Sequence, residues 1–97
     1  LFIVYTIIGM NCEFDPAKDE SNRDKHGLSL ADADDFEWES ALVREDVRQQ
    51  YAEQRFEAIG YIGLRLHVMV YCLRGDAIRV ISLRKANARE VKRYAET

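Results

Sequence analysis

The sequence predicts a small α+β domain, an antiparallel β-sheet with helices packed on one face. Three observations carry that expectation. Leu66 to Leu73 is the most apolar run after Met10 and has the length of a central strand. Gly75-Asp76 follows as a two-residue hairpin signal, leading into a second apolar strand, Ala77 to Arg84. From Ala86 the spacing turns helical, with Ala88, Val91 and Ala95 recurring on one side and Tyr94 beside them, while Arg89, Lys92 and Arg93 point away. Sequential hairpins favour antiparallel pairing, and such a sheet leaves its second face partly open.

Leu1 to Gly9 is an uncharged apolar run, too short to span a bilayer and without the basic flank of a signal peptide. With a methionine at Met10, residues 1–9 read as an upstream or cloning-derived extension that would pair with a sheet edge, and residues 10–97 as the single domain. Asn11 to Phe14 is a short strand. Asp15-Pro16 starts a helix, with Asp as N-cap and Pro in the first turn, and Gly27 ends it after Lys25 and His26. Ala17 is that helix's only aliphatic residue, so apolar packing gives it little reason to exist.

Ser29 and Asp32 resemble a capping box for a second helix, Ser29 to about Trp38, with Leu30, Ala33 and Phe36 inward. Ala41 to Val47 is a strand and residues 48–53 a polar loop. Gln54 to Tyr61 is a strand with Phe56 and Ala58 on one face and Arg55, Glu57 and Ile59 on the other, and Gly60 and Gly63 bracket a turn. The order is β-α-α-β-β-β-β-α.

Charge and cysteine usage exclude some functions. The net charge of −3 is unlike that of most nucleic-acid binders. Its distribution is uneven: residues 10–58 hold 14 acids and 6 bases, residues 59–97 hold 3 acids and 8 bases. The second half can present a basic face, or the halves can neutralise each other. Cys12 and Cys72 form no Cys-x-x-Cys and no His pair has ligand spacing, so neither a metal site nor a redox motif is expected and a cytoplasmic location is the default.

The anomaly is Arg79. It sits in a stretch where both strand faces look covered, and a buried guanidinium is costly unless paired. Either it meets one of the many acids, or it opens to a pocket as a phosphate clamp.

Phe14-Asp15-Pro16-Ala17-Lys18, Asn22-x-x-Lys25-His26-Gly27 and Arg55-Phe56-x-Ala58-Ile59-Gly60 together resemble the BrnT family of bacterial toxins. Val70-Tyr71, Arg79-x-Ile81-Ser82-x-Arg84-Lys85-Ala86 and Glu90-x-x-x-Tyr94 extend the match to the end of the chain. The resemblance implies a RelE-like ribonuclease of a type II toxin–antitoxin system that inhibits translation by cutting RNA. It also implies a BrnA-like antitoxin, which binds operator DNA through a ribbon-helix-helix segment.

Metal-free RNA cleavage uses the substrate's 2′-hydroxyl as nucleophile, so a protein must move two protons and stabilise the phosphorane. Lys25 and His26 are candidates for proton transfer, and Arg79 with Arg84 for the phosphate. Arg55, Lys85 and Tyr94 are candidates for holding substrate, and Glu53 is a possible base. Arg79 and Arg84 differ by an odd number, so an unbroken strand points them to opposite faces; a bulge or an early strand end is required for a two-arginine clamp. His67 and Tyr71 read as core residues. The alternative is a non-catalytic module that binds an antitoxin and acts in operon repression.

Overall fold

The computed structural model describes residues 11–97; the expectations for Leu1 to Gly9 and for the start at Met10 lie outside them. A five-stranded sheet has the order β1-β5-β4-β3-β2, with β1 Asn11–Glu13, β2 Leu42–Asp46, β3 Arg55–Ile62, β4 Arg65–Arg74 and β5 Ala77–Lys85. Helix α1, Pro16–His26, follows β1, and helix α2, Ala88–Ala95, follows β5. No helix among the described residues is long and apolar enough to cross a membrane.

The sheet is mixed, which corrects the antiparallel expectation. β2 to β5 are antiparallel neighbours, but β1 runs parallel to β5, with Cys12 opposite Ile78. The partner of β1 comes from the far end of the chain, and no hairpin signal announces it.

Both termini of α1 form as the sequence anticipates. The Asp15 carboxylate accepts from Ala17 N at 2.9 Å, and Gly27 adopts φ 71°, giving its N–H to Arg23 O. Polar groups hold this polar helix in place. Beyond Arg79 the edge of β5 has no strand partner among the described residues, and the buried Asn22 amide takes that place: Oδ1 accepts from Leu83 N at 3.0 Å and Nδ2 donates to Leu83 O at 2.8 Å. Asn22 also donates to Leu28 O, and Asp19 accepts from Leu30 N at 2.7 Å and from Ser29 Oγ.

The second expected helix is instead two 3₁₀ turns, Leu30–Asp35 and Trp38–Ser40, because the aspartate-rich stretch after Leu30 disfavours a longer α-helix. Its inner face is the expected one. Leu30, Ala33 and Phe36 are buried against Phe56, Ala58, Met69, Tyr71, Ile78, Val80 and Leu83. Gly60 lies within β3, where the Phe36 ring crosses it so closely that a Cβ there would stand 2.6 Å from Phe36 Cζ. The turn falls after Ile62, with Gly63 at φ 62°.

The helices also do not share one face. α1 and the 3₁₀ turns cover the face just described; α2 lies on the other, where Tyr94 packs on Ile59, Leu66, Val68 and Ala86. α2 spans eight residues and covers one half of its face. On the other half no helix among the described residues lies, and Glu57, Val70 and Cys72 are buried there beneath side chains of the sheet and its loops.

Candidate functional site

The open face owes its character to one bulge. Cys72 pairs with Arg79 and Tyr71 with Val80, but Val70 pairs with Ser82, so Ile81 has no partner on β4. The extra residue inverts the alternation of β5. Ile78, Val80 and Leu83 all enter the main core, while Arg79, Ser82 and Arg84 share the face opposite. Arg55 joins them from β3, flanking Cys72 on the side away from Arg79. Two strand spacings separate Arg55 and Arg79, about 10 Å between backbones.

The expectation that both faces of β5 are covered is corrected: Arg79 is half-buried, and its closest acid is Glu13 at 3.7 Å on the neighbouring edge strand. Arg84 is held more firmly. Its Nη1 and Nη2 donate to the two Glu90 oxygens at 2.8 and 2.7 Å, and Glu90 also closes the capping box of α2 with Asn87. The Arg84 guanidinium and the Asn87 N–H hold the Glu90 carboxyl down at about 2. The bulge sends Lys85, opposite His67, to the other face and into solvent, away from Arg79 and Arg84.

Lys25 and His26 are exposed at the end of α1. They line a groove of about 220 Å³ with Lys18, Ser21, Ile81 and Ser82, along the edge of β5 beyond its pairing with β1. Arg79 and Arg84 do not line it. Ser82 belongs to both surfaces, because it lines the groove and stands on the open face between the two arginines in sequence. Tyr94 donates its hydroxyl to Ser40 O at 2.7 Å and meets Tyr61 edge-on, so its ring helps seat α2. The thiol of Cys72 hydrogen-bonds Glu53 and, with Arg74, keeps that carboxyl below the usual range, which weakens it as a base. His67 is buried with Nδ1 donating to Arg65 O, and Tyr71 is fully buried. Burial pushes the Cys12 thiol up to about 11 and also raises Cys72, so neither is a ready thiolate. Among the described residues, no group of three or more His, Cys, Asp or Glu is placed to hold a metal ion.

Two acids of the open face were not singled out in the sequence. Glu57, only 5% exposed, sits on β3 next to Val70 and accepts on Oε1 from Arg44 and from Arg93, each at 3.0 to 3.1 Å. Arg93 thus reaches the sheet and does not point away. A carboxylate inside a strand, two positions from Arg55, is the same kind of anomaly as Arg79 and was available as a signal. Asp46 is buried at the end of β2, where the Arg48 fork at 2.8 Å and the Tyr51 hydroxyl hold its carboxyl far below the usual range. Nothing in its sequence context marks it.

The face is thus a row of arginines interleaved with fixed carboxylates, over a floor of Val70 and Cys72. It adjoins a groove with an amine, an imidazole and hydroxyls. None of the curated proteins compared matches the chain. A family model described as ribonuclease toxin, BrnT, of type II toxin–antitoxin system matches residues 14–90. That stretch runs from the end of β1 to the Glu90 that pairs with Arg84, and by it the chain belongs to the BrnT family of ribonuclease toxins, whose counterpart is a protein antitoxin.

Proposed function

We propose that this protein is a metal-independent endoribonuclease that inhibits translation by cutting RNA in the cytoplasm. In this reading the 2′-oxygen forms a bond to the adjacent phosphorus and the bond from phosphorus to the 5′-oxygen breaks. One proton leaves the 2′-hydroxyl and another reaches the 5′-oxygen, with Lys25 and His26 as the carriers. Arg79 and Arg55 hold the phosphate and stabilise the charge of the phosphorane, and Arg84 acts from its pair with Glu90. The observation that supports this most is the bulge at Ile81, which brings Arg79 and Arg84 to the same face of the sheet. The succession of elements supports a RelE-like fold. The antitoxin is BrnA-like, with a ribbon-helix-helix segment through which alone operator DNA is reached.

The test is RNA cleavage by the purified protein, free of antitoxin and in EDTA. The expected products end in a 2′,3′-cyclic phosphate, and an RNA carrying 2′-deoxyribose at the cut is left whole. Intact RNA under these conditions overturns the reading. One observation favours the alternative, a non-catalytic module acting with its antitoxin in operon repression: Glu90 already occupies the Arg84 fork.

A further inference from the structure

The loop between β2 and β3, residues 47–54, encloses a hollow of about 270 Å³ at the edge of the arginine face. Tyr51 is fixed inside it. Its hydroxyl donates to the buried Asp46 at 3.1 Å, and the Arg55 guanidinium lies 4.2 Å from its ring centroid. Arg55 covers one face of the half-buried ring, and these two contacts pre-set the part of the ring that lines the hollow. Beside it, Arg55 Nε is buried with no hydrogen-bond partner among the described residues. An orphaned charged donor is costly to maintain and asks for an acceptor.

The rest of the lining says what that acceptor belongs to. Gln49, Gln50 and Gln54 bring three amides, each both donor and acceptor, and all three are exposed to the hollow's solvent side. Glu45 and Glu53 stand at the rim and disfavour a second phosphate inside. A neutral, flat group with a hydrogen-bonding edge suits this lining: aromatic surface beneath, amides and carboxylates around. The hollow has room for one such ring and is small for a drug-sized ligand.

We infer that the 47–54 loop is a nucleobase subsite, in which Tyr51 stacks on one unpaired base and Gln49, Gln50 and Gln54 read its edge. This rests on the ribonuclease reading: with a phosphate between Arg55 and Arg79, the attached base turns outward over Tyr51. Exocyclic amino groups find carboxylate acceptors at the rim. Uracil has none, so it is the least favoured base.

The experiment uses the full chain and four fluorescein-labelled 2′-O-methyl decanucleotides of A, C, G and U, which the proposed reaction cannot cut. Fluorescence anisotropy at fixed salt gives the affinities. The U probe is expected to bind about tenfold more weakly than the best of the others, as for one lost stacking and hydrogen-bonding contact. Tyr51→Leu and the Gln49→Ala/Gln50→Ala pair narrow that ratio to within twofold, with melting temperatures near the wild type confirming that these variants fold. Four probes binding alike, or a ratio that survives Tyr51→Leu, overturns the inference. The outcome separates from the cleavage test: base-selective binding without cleavage keeps the subsite and removes the ribonuclease, and cleavage with no base preference does the reverse. If the loop variants weaken only the complex with the antitoxin and leave RNA affinities unchanged, the loop docks protein and the subsite is discarded.

Discussion

Asn22 and Leu83, sixty-one positions apart, exchange two hydrogen bonds as a strand neighbour would, and this joins α1 to the sheet. The helix carries almost no apolar surface, so the amide is its main tether to β5. Replacing it strands a buried N–H and a buried C=O, each costing about 1 to 3 kcal/mol. Asn22→Ala is therefore expected to lose about 3 kcal/mol in urea unfolding, with Lys25 and His26 losing their fixed place beside Ser82. A change under about 0.5 kcal/mol, the usual range for a surface site, would show that α1 is held by something else.

Gly60 gives a second test, of packing alone. A methyl there would meet the Phe36 ring, whose own position is set by Trp38 at 4.7 Å between centroids. Gly60→Ala is expected to destabilise by about 1 to 3 kcal/mol, the usual cost of overpacking. Adding Phe36→Leu should recover part of that loss, because the colliding atoms are gone. A double-mutant cycle with no coupling between the two positions would count against the contact.

What the sequence made legible was local. The caps at Asp15 and Gly27, the hairpin at Gly75-Asp76 and the inward trio Leu30, Ala33 and Phe36 depend on near neighbours, and all are found. What it concealed was set at long range. The parallel β1–β5 pairing joins the two ends of the domain, and Asn22 reads as one more polar residue on a polar helix until Leu83 is beside it. The bulge at Ile81 carries no local mark, since no residue type there announces a skipped partner. Helical spacing alone places Arg93 in solvent, and Glu57 is what turns it inward.

Acid stability follows from Glu90. Its folded-state value of about 2 lies below the unfolded 4.5, so its contribution is complete above about pH 4.5 and is lost as pH falls toward 2. At one unit per 1.4 kcal/mol the full effect is about 3 kcal/mol. Glu90→Gln is expected to be less stable than the parent at pH 7, with the gap closing as pH falls toward 2. A gap independent of pH over that window would mean the ion pair is not its source.

Arg79 and Arg84 should part company when each is truncated. Arg84→Ala leaves the Glu90 carboxylate, only 8% exposed, without its bidentate partner, and is expected to cost about 2 kcal/mol or more in stability. Arg79→Ala removes a half-buried cation whose nearest acid is 3.7 Å away, so unfolding should shift by about 1 kcal/mol or less. Its effect is expected on turnover, a loss of about a hundredfold in RNA cleavage, the scale for one missing charge-stabilising donor. Arg79→Lys should recover little, since a point charge lacks the planar fork that meets two phosphate oxygens. The two measurements together, a urea melt and a cleavage rate on each variant, assign one arginine to holding α2 and the other to the substrate. If Arg79→Ala unfolds early and cuts RNA normally, that division is reversed and the phosphate must be sought at Arg55 and the Lys25 groove.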